Sequence, residues 1–292
     1  MPTEAAGAPA LQLGAHALCL SRPRVMGVLN VTPDSFSDGG QFNQIDRAVS
    51  QALRLQDEGA DIIDIGGEST RPGAAAVALD EERRRVLPLL RELRQALRVP
   101  ISIDTSKPGL MAEAIAEGAG MINDVNALRA PGALEALAPH PDIACVLMHM
   151  RGQPRSMQHN PQYDDVGSEV TAFLQARKEA AVQAGLRPAQ LVVDPGIGFG
   201  KTLSHNLSLL RQTDRLVKQF GPVLIGVSRK SMFAQLLGER PPEQRVAASV
   251  QTALLAAQAG AAILRVHDVK QTCEALHLLQ AIASAPLGGQ EN

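Results

Sequence analysis

The residues that could do chemistry in this chain recur in one position. An apolar run closes on a polar or charged side chain, and the run is followed by a loop or helix. Asn30, Asp64, Asp104, Asn123, Met148-His149, Asp194, Ser228-Arg229-Lys230 and Arg265 with His267 all stand at or near such closures. Together they offer acids, amides, a lysine, an arginine and a histidine, which suits a ligand with two unlike ends. A buried carboxylate accepts two parallel bonds from an amino-substituted ring edge, so Asp64, Asp104, Asp194 and the amides suit a planar heterocycle rich in N–H donors. Arg265, His267 and Asn30 suit an anion, most readily a phosphate. Asn30 and Asp34 could help hold Mg²⁺ against it, because Mg²⁺ takes few protein oxygens and keeps phosphate oxygens and water. Arg265 and His267 are two apart, so a strand would turn both to one side.

Several of these groups also have plainer readings. Asp64 and Asp104 could cap the helices that follow them. Lys230 could be a solvated surface residue. His149, flanked by Met148 and Met150, reads as a buried structural histidine. His140, His159, His205 and His277 carry no spacing signal. The stretch from Pro195 to Thr202, with Gly196, Gly198, Gly200 and Lys201, looks like a Walker loop but has proline where that loop needs glycine. It is not a dinucleotide fingerprint either, because its third glycine comes one residue early and it does not open the fold. What remains is a loop whose backbone can approach a flat ligand, with Phe199 as one wall.

The elements that must position these groups alternate. Short apolar runs predict strands at residues 25–31, 61–66, 101–104, 121–125, 143–149, 191–194, 223–228 and 263–267. Patterns rich in Ala, Leu, Glu, Arg and Gln predict helices at 44–58, 79–97, 109–117, 166–184, 205–219, 244–259 and 269–283. Gly59-Ala60, Gly118-Ala119 and Gly260-Ala261 mark helix ends, where glycine accepts a left-handed conformation. Strands alternating with helices imply parallel βα units. Eight of them imply an α/β fold of the (β/α)₈ TIM-barrel type in a single domain. The rival, an open doubly wound sheet, would want a glycine-rich turn after the first strand, where this chain has Asn30-Val31-Thr32-Pro33-Asp34. Residues 1–14 read as a flexible tail, 15–284 as the barrel and 285–292 as a second tail. A short strand or hairpin around residues 11–20 is expected to cover one end. In a barrel the βα loops share one face, so the polar closures converge on one mouth. The loop over residues 32–40 then reads as a mobile lid.

Composition narrows the classes. With 292 residues and 45% hydrophobic content the chain can bury a full core, and a net charge of −2 gives no field for nucleic acid or a membrane surface. Aromatics are 2% with no Trp, which argues against base-stacking platforms. Cys19, Cys145 and Cys273 are odd in number and far apart, so disulfides and thiolate metal sites are not expected, and a cytoplasmic location fits. The first twenty residues lack a basic start and make no convincing signal peptide.

The chain resembles the dihydropteroate synthase family of folate biosynthesis, the sulfonamide target. The matching segments, in family order, are Met26-Gly-Val-Leu-Asn-Val-Thr-Pro-Asp-Ser-Phe-Ser-Asp-Gly-Gly40, Asp64-Ile-Gly-Gly-Glu-Ser-Thr-Arg-Pro-Gly73, Ile103-Asp-Thr-Ser-Lys-Pro108, Ile122-Asn-Asp124, Leu147-Met-His-Met150, Asp194-Pro-Gly-Ile-Gly-Phe-Gly-Lys201, Ser228-Arg-Lys-Ser231 and Arg265-Val-His-Asp268. The resemblance implies a TIM barrel that condenses a dihydropterin pyrophosphate with p-aminobenzoate, with Mg²⁺ taking part and usually as a homodimer. It implies that Asp104, Asn123, Asp194 and Lys230 grip the pterin edge beside Asp64, and that Met148 and Arg265 pack on its faces. It places Asn30, Arg265 and His267 at the pyrophosphate. It assigns Thr70, Arg71, Pro72, Phe199 and Ser228 to the p-aminobenzoate pocket, and makes Asp34, Lys230, Arg265 and His267 the catalytic set with Asn30 as metal ligand. One departure is Ile197, where many members carry Phe, expected to alter the wall near p-aminobenzoate. The rival functions are a methyltetrahydrofolate-dependent methyltransferase, a non-catalytic pterin-binding paralogue and a Schiff-base aldolase using Lys230.

Overall fold

The computed structural model describes residues 10–31, 41–69, 73–153 and 156–286. Among these, the chain opens with a hairpin of β1 (Ala10–Leu13) and β2 (His16–Cys19). Eight strands follow: β3 (Arg24–Asn30), β4 (Ile62–Gly66), β5 (Ile101–Asp104), β6 (Met121–Asp124), β7 (Ala144–Met148), β8 (Leu191–Asp194), β9 (Leu224–Ile225) and β10 (Ile263–Val266). The helices between and after them are α1 (Gln41–Asp57), α2 (Leu79–Ala96), α3 (Pro108–Ala116), α4 (Ala133–Leu137), α5 (Val166–Gln183), α6 (Leu203–Arg211), α7 (Thr213–Phe220), α8 (Met232–Leu237), α9 (Val246–Gln258) and α10 (Val269–Ala283).

The strands pair in parallel in the order β8-β7-β6-β5-β4-β3-β10-β9. The ring closes where Val193 of β8 bridges Val223, just before β9, and the Val193 N–H donates to Pro222 O at 3.1 Å. This is the expected (β/α)₈ barrel, with its N-terminal hairpin on the end away from the polar mouth.

Strand alternation decides what lies inside. In β3 and β4, Val25, Leu29, Ile63 and Ile65 pack outward in the large core shared with the helices. Met26 and Ile62 point inward and join Met121, Ala144, Val146, Val192, Leu224 and Ile263 in a smaller core inside the barrel. The hairpin completes that inner core. Leu11 and Leu13 are both 1% exposed within it. The tail read over residues 1–14 therefore needs correction at its end. Residues 10–13 are a strand, because every second side chain is a leucine that plugs the barrel floor.

Other differences are local. The helix expected at 205–219 is two, α6 and α7, and Thr213 at the break turns its hydroxyl back to Leu210 O at 2.8 Å, a local bond that competes with the helix ladder. The strand expected at 223–228 keeps Leu224–Ile225 as strand, with Val223 as a bridge to β8. Beyond it the chain bends, and Arg229 adopts a left-handed φ of 58°. The short α4 and α8 have no counterpart in the sequence reading, being too brief for a periodic signal.

Candidate active site

The inward parity turns polar as it approaches the C-terminal ends of the strands. Above the inner core it continues with Asp64 on β4, Ser102 on β5 and Asn123 on β6. At the rim it reaches Asn30, Asp104, Met148 and Asp194, the last residues of β3, β5, β7 and β8. Asp64 is fully buried, and Asp104, Asn123 and Asp194 nearly so. Neither Asp64 nor Asp104 caps a helix. Asp124 belongs to the opposite parity. Its carboxylate accepts the N–H groups of Asn126 and Leu128, both at 2.7 Å, and so fixes the turn after β6.

Arg265 on β10 ties the acids together. Its Nε donates to Asp64 Oδ2 at 2.6 Å and its Nη2 to Asp104 Oδ2 at 2.8 Å. Asn123 Nδ2 donates to the same Asp64 oxygen at 3.1 Å, while Asp64 Oδ1 is buried with no partner among the described residues. Burial works against the Arg265 charge, but Asp64 and Asp104 hold the guanidinium protonated beyond its ordinary range. Burial also pushes the Asp104 carboxyl well above the usual range, against the pull of Arg265. Asp194 is pushed up to about 6 by burial, although its Oδ1 accepts the Gly196 N–H at 2.7 Å.

Across the mouth, Lys230 is no solvated surface group. Its Nζ sits 4.1 Å from the Phe199 ring centroid, a cation–π contact. Burial, with Arg265 adding repulsion, lowers it to about 8. Ser228 Oγ lies 3.1 Å from both the backbone N and the Nδ1 of His267. Burial first, then Arg265, drops His267 to about 3, so the ring is neutral at physiological pH. Ile197 is 1% exposed and packs in the outer core, so its side chain is not part of the wall that Phe199 forms.

The structure thus brings Asn30, Asp64, Asp104, Asn123, Met148, Asp194, Phe199, Ser228, Lys230, Arg265 and His267 to one end of the barrel. Asp34, Thr70, Arg71 and Pro72 lie outside the described residues, as does the expected lid over 32–40. Among the described residues, no group of three His, Cys, Asp or Glu side chains could hold a metal ion.

Two features escaped the sequence reading. Lys107 Nζ bridges Glu68 and the buried Glu82, joining the base of the second loop to α2. Glu68 and Glu82 line part of an opening of about 340 Å³ that also reaches Asp104, Val125 and Met150. The second is Lys201, which sits in the Walker-like stretch and is 3% exposed. The signal for both was a lysine inside a quoted motif with no ligand role attached.

A family profile described as "Pterin binding enzyme" matches residues 26–267. The chain is 50% identical over 268 residues to the dihydropteroate synthase of Escherichia coli K12, covering 92% of this chain and 94% of that one. The chain belongs to the dihydropteroate synthase family. A Xanthomonas albilineans dihydropteroate synthase structure with 4-aminobenzoic acid is similar at 52% identity and a TM-score of 0.90, over 96% of this chain and 100% of that one. Another from the same organism, in complex with 7,8-dihydropteroate, is 49% identical with a TM-score of 0.86, over 95% and 100%.

Proposed function

We propose that this chain joins (7,8-dihydropterin-6-yl)methyl diphosphate to p-aminobenzoate, giving 7,8-dihydropteroate and pyrophosphate for folate synthesis. The observation that carries this reading is the buried polar layer of Asp64, Asp104, Asn123 and Asp194 capped by Arg265. Its acceptors match the N–H-rich edge of a reduced pterin, and its cation lies where that ring ends.

Asp104, Asn123, Asp194 and Lys230 bind the pterin edge, with Asp64 beneath them. Met148 and the Arg265 guanidinium pack on the ring faces. The methylene C–O bond breaks as pyrophosphate leaves, and charge on the carbon spreads into the dihydropterin. Arg265 and the neutral imidazole of His267 face the leaving group and stabilise the charge it gains. The amine of p-aminobenzoate forms the new C–N bond and releases a proton, so no protein nucleophile is needed. Phe199 and Ser228, with Thr70, Arg71 and Pro72, form the p-aminobenzoate pocket.

Mg²⁺ fits this donor set. Asn30 is the last residue of β3, at the mouth, and its amide supplies one oxygen donor there. One or two protein oxygens suffice for Mg²⁺, which draws the rest from water and phosphate. When bound it would supply charge neutralisation at the pyrophosphate, with Asn30 and Asp34 as its holders.

The reading extends to a homodimer. Leu255 of α9 is 65% exposed, and Leu278 and Ile282 of α10 are 63% and 75% exposed. Helices α9 and α10 pack together, so this is one apolar face suited to a second copy. The thiols of Cys145 and Cys273 support a reducing cytoplasm, and no helix among the described residues is long and apolar enough to cross a membrane.

Mixing the protein with the pterin pyrophosphate, Mg²⁺ and p-aminobenzoate tests the activity. Pyrophosphate release dependent on p-aminobenzoate is expected, and release no faster than in buffer overturns the reading.

A further inference from the structure

The glycine loop after β8 is held from inside by a buried lysine. Lys201 is buried, and among the described residues no carboxylate lies within ion-pair distance of it. Its Nζ lies 2.9 Å from His149 Nδ1 and donates to Gly196 O at 2.9 Å and to Phe199 O at 3.0 Å. An ammonium has three protons and no acceptor, so these contacts satisfy it in full. Burial lowers Lys201 to about 7, and while it is protonated His149 Nδ1 accepts from it. The lysine of this Walker-like sequence therefore points into the protein, not toward a phosphate.

The surroundings leave the loop little freedom. Gly196 and Gly200 have φ of 68° and 64°, and a Cβ on either would fall 1.9 Å from His149 O or 2.3 Å from Arg151 O. The Gly198 N–H donates to Asn206 Oδ1 at 2.7 Å, and Tyr163 donates to Gly200 O at 2.9 Å. Just beyond Lys201, Thr202 caps α6 by accepting the His205 N–H at 3.3 Å. Among the described residues, only Lys201 bonds two loop carbonyls at once, and it ties them to the end of β7 through His149. One of those carbonyls belongs to Phe199, whose ring lies over Lys230.

We propose that Lys201 is a positioning residue for p-aminobenzoate: its ammonium sets the loop that carries Phe199 and so sets the pocket wall and the ring against which Lys230 rests. Lys201 touches neither substrate. Asp104, Asn123 and Arg265 stand on strands outside this loop, whereas Asp194 accepts the Gly196 N–H and Lys230 rests on Phe199, so loosening the loop weakens p-aminobenzoate binding more than pterin binding. The proposal rests on the reading of this mouth as a dihydropteroate-forming site.

The test compares wild type with Lys201→Met and Lys201→Gln. It measures the KM for p-aminobenzoate, inhibition by a sulfonamide, calorimetric binding of a pterin pyrophosphate and thermal melting. In Lys201→Met the KM and the sulfonamide inhibition constant should rise together by about tenfold, while pterin affinity changes by less than about threefold. Lys201→Gln keeps a donor on a shorter chain and should fold with a smaller shift in the same direction. A folded variant with unchanged KM, or one that loses pterin and p-aminobenzoate binding equally, overturns the proposal. Failure of both variants to fold reduces Lys201 to a folding residue and also overturns it. Wild-type protein that releases no pyrophosphate overturns the functional reading itself, which keeps the two failures apart.

Discussion

Arg265 of β10 and Asp104 of β5, with two strands between them, meet across the barrel mouth at 2.8 Å, from Nη2 to Oδ2. The register makes this possible. Arg265 and Asp104 are both inward positions of their strands; Asn30 and Gly66 are in register with Asp104, while Arg265 is in register with Met26, four residues before Asn30 on β3. Gly66 has no side chain to fill the gap. The guanidinium crosses to Asp104 and rests on Asp64 as it does so. Under the proposed function, this one side chain couples the pterin edge to the pyrophosphate end.

That coupling predicts the behaviour of Asp104→Ala. The variant removes an acceptor for the pterin edge but leaves Arg265 on Asp64. Losing one partner of a buried charged bond costs about 2–4 kcal/mol, or roughly 30- to 1,000-fold in affinity. The loss should appear in calorimetric pterin binding. Equal pterin affinity in wild type and variant rules the assignment out.

Asp194 predicts a pH dependence. Burial raises its carboxyl to about 6, against the Gly196 N–H and Lys230. A proton there removes an acceptor from the pterin edge. Pterin affinity should therefore fall as pH drops through about 6, and Asp194→Asn should flatten that fall. Stability runs the other way. The folded value lies above the ordinary 3.8, so the stabilisation is full below that value and lost as pH rises through about 6. Asp194→Asn should thus gain melting temperature over wild type at pH 7.5 and not at pH 3.5. A gain of the same size at both pH values would remove this carboxyl as the cause.

Much of this site was legible because strand parity is strict. Once β3 to β10 were read as strands, alternate positions had to face inward, and the polar ones had to share one mouth. Asp64, Asp104, Asn123 and Asp194 were found in this way. What escaped was long-range pairing that leaves no periodic trace. Nothing in the spacing says that Lys201 meets His149 across 52 residues, or that Lys107 meets Glu82 across 25. The sheet contribution of β9 was overread for a related reason. Apolar runs report burial, and Val227 is buried without pairing in the sheet.

The hairpin gives a prediction that separates stability from catalysis. Leu13 is 1% exposed inside the barrel floor, on the side away from the mouth. Leu13→Ala leaves a cavity there and should cost about 2–4 kcal/mol. The urea midpoint should fall while the KM for either substrate stays at the wild-type value. A changed KM in the folded variant would mean that the floor and the mouth are mechanically linked.

The sharpest demand falls on Asp268. Arg229 holds a left-handed φ of 58°, unusual for a residue with a side chain, and it stands between Ser228 and Lys230. Asp268 grips its guanidinium twice, from Nε at 3.1 Å and Nη2 at 2.6 Å. The Arg229 N–H donates to Ser249 Oγ at 2.8 Å, and its carbonyl accepts from Arg245 Nη1 at 3.1 Å. The strained residue is over-determined, and its neighbours on either side, Ser228 and Lys230, belong to the proposed site. Asp268→Ala removes the strongest of these holds. Ser228 and Lys230 then lose their fixed height, and kcat/KM should fall about tenfold or more, since a misplacement of about 1 Å can cost a hundredfold. Arg229→Gly provides the contrast. It accepts the same φ without strain but cannot pair with Asp268. If the ion pair sets the geometry, both variants lose activity. If the backbone conformation alone sets it, Arg229→Gly retains wild-type kcat/KM, and the role given to Asp268 falls.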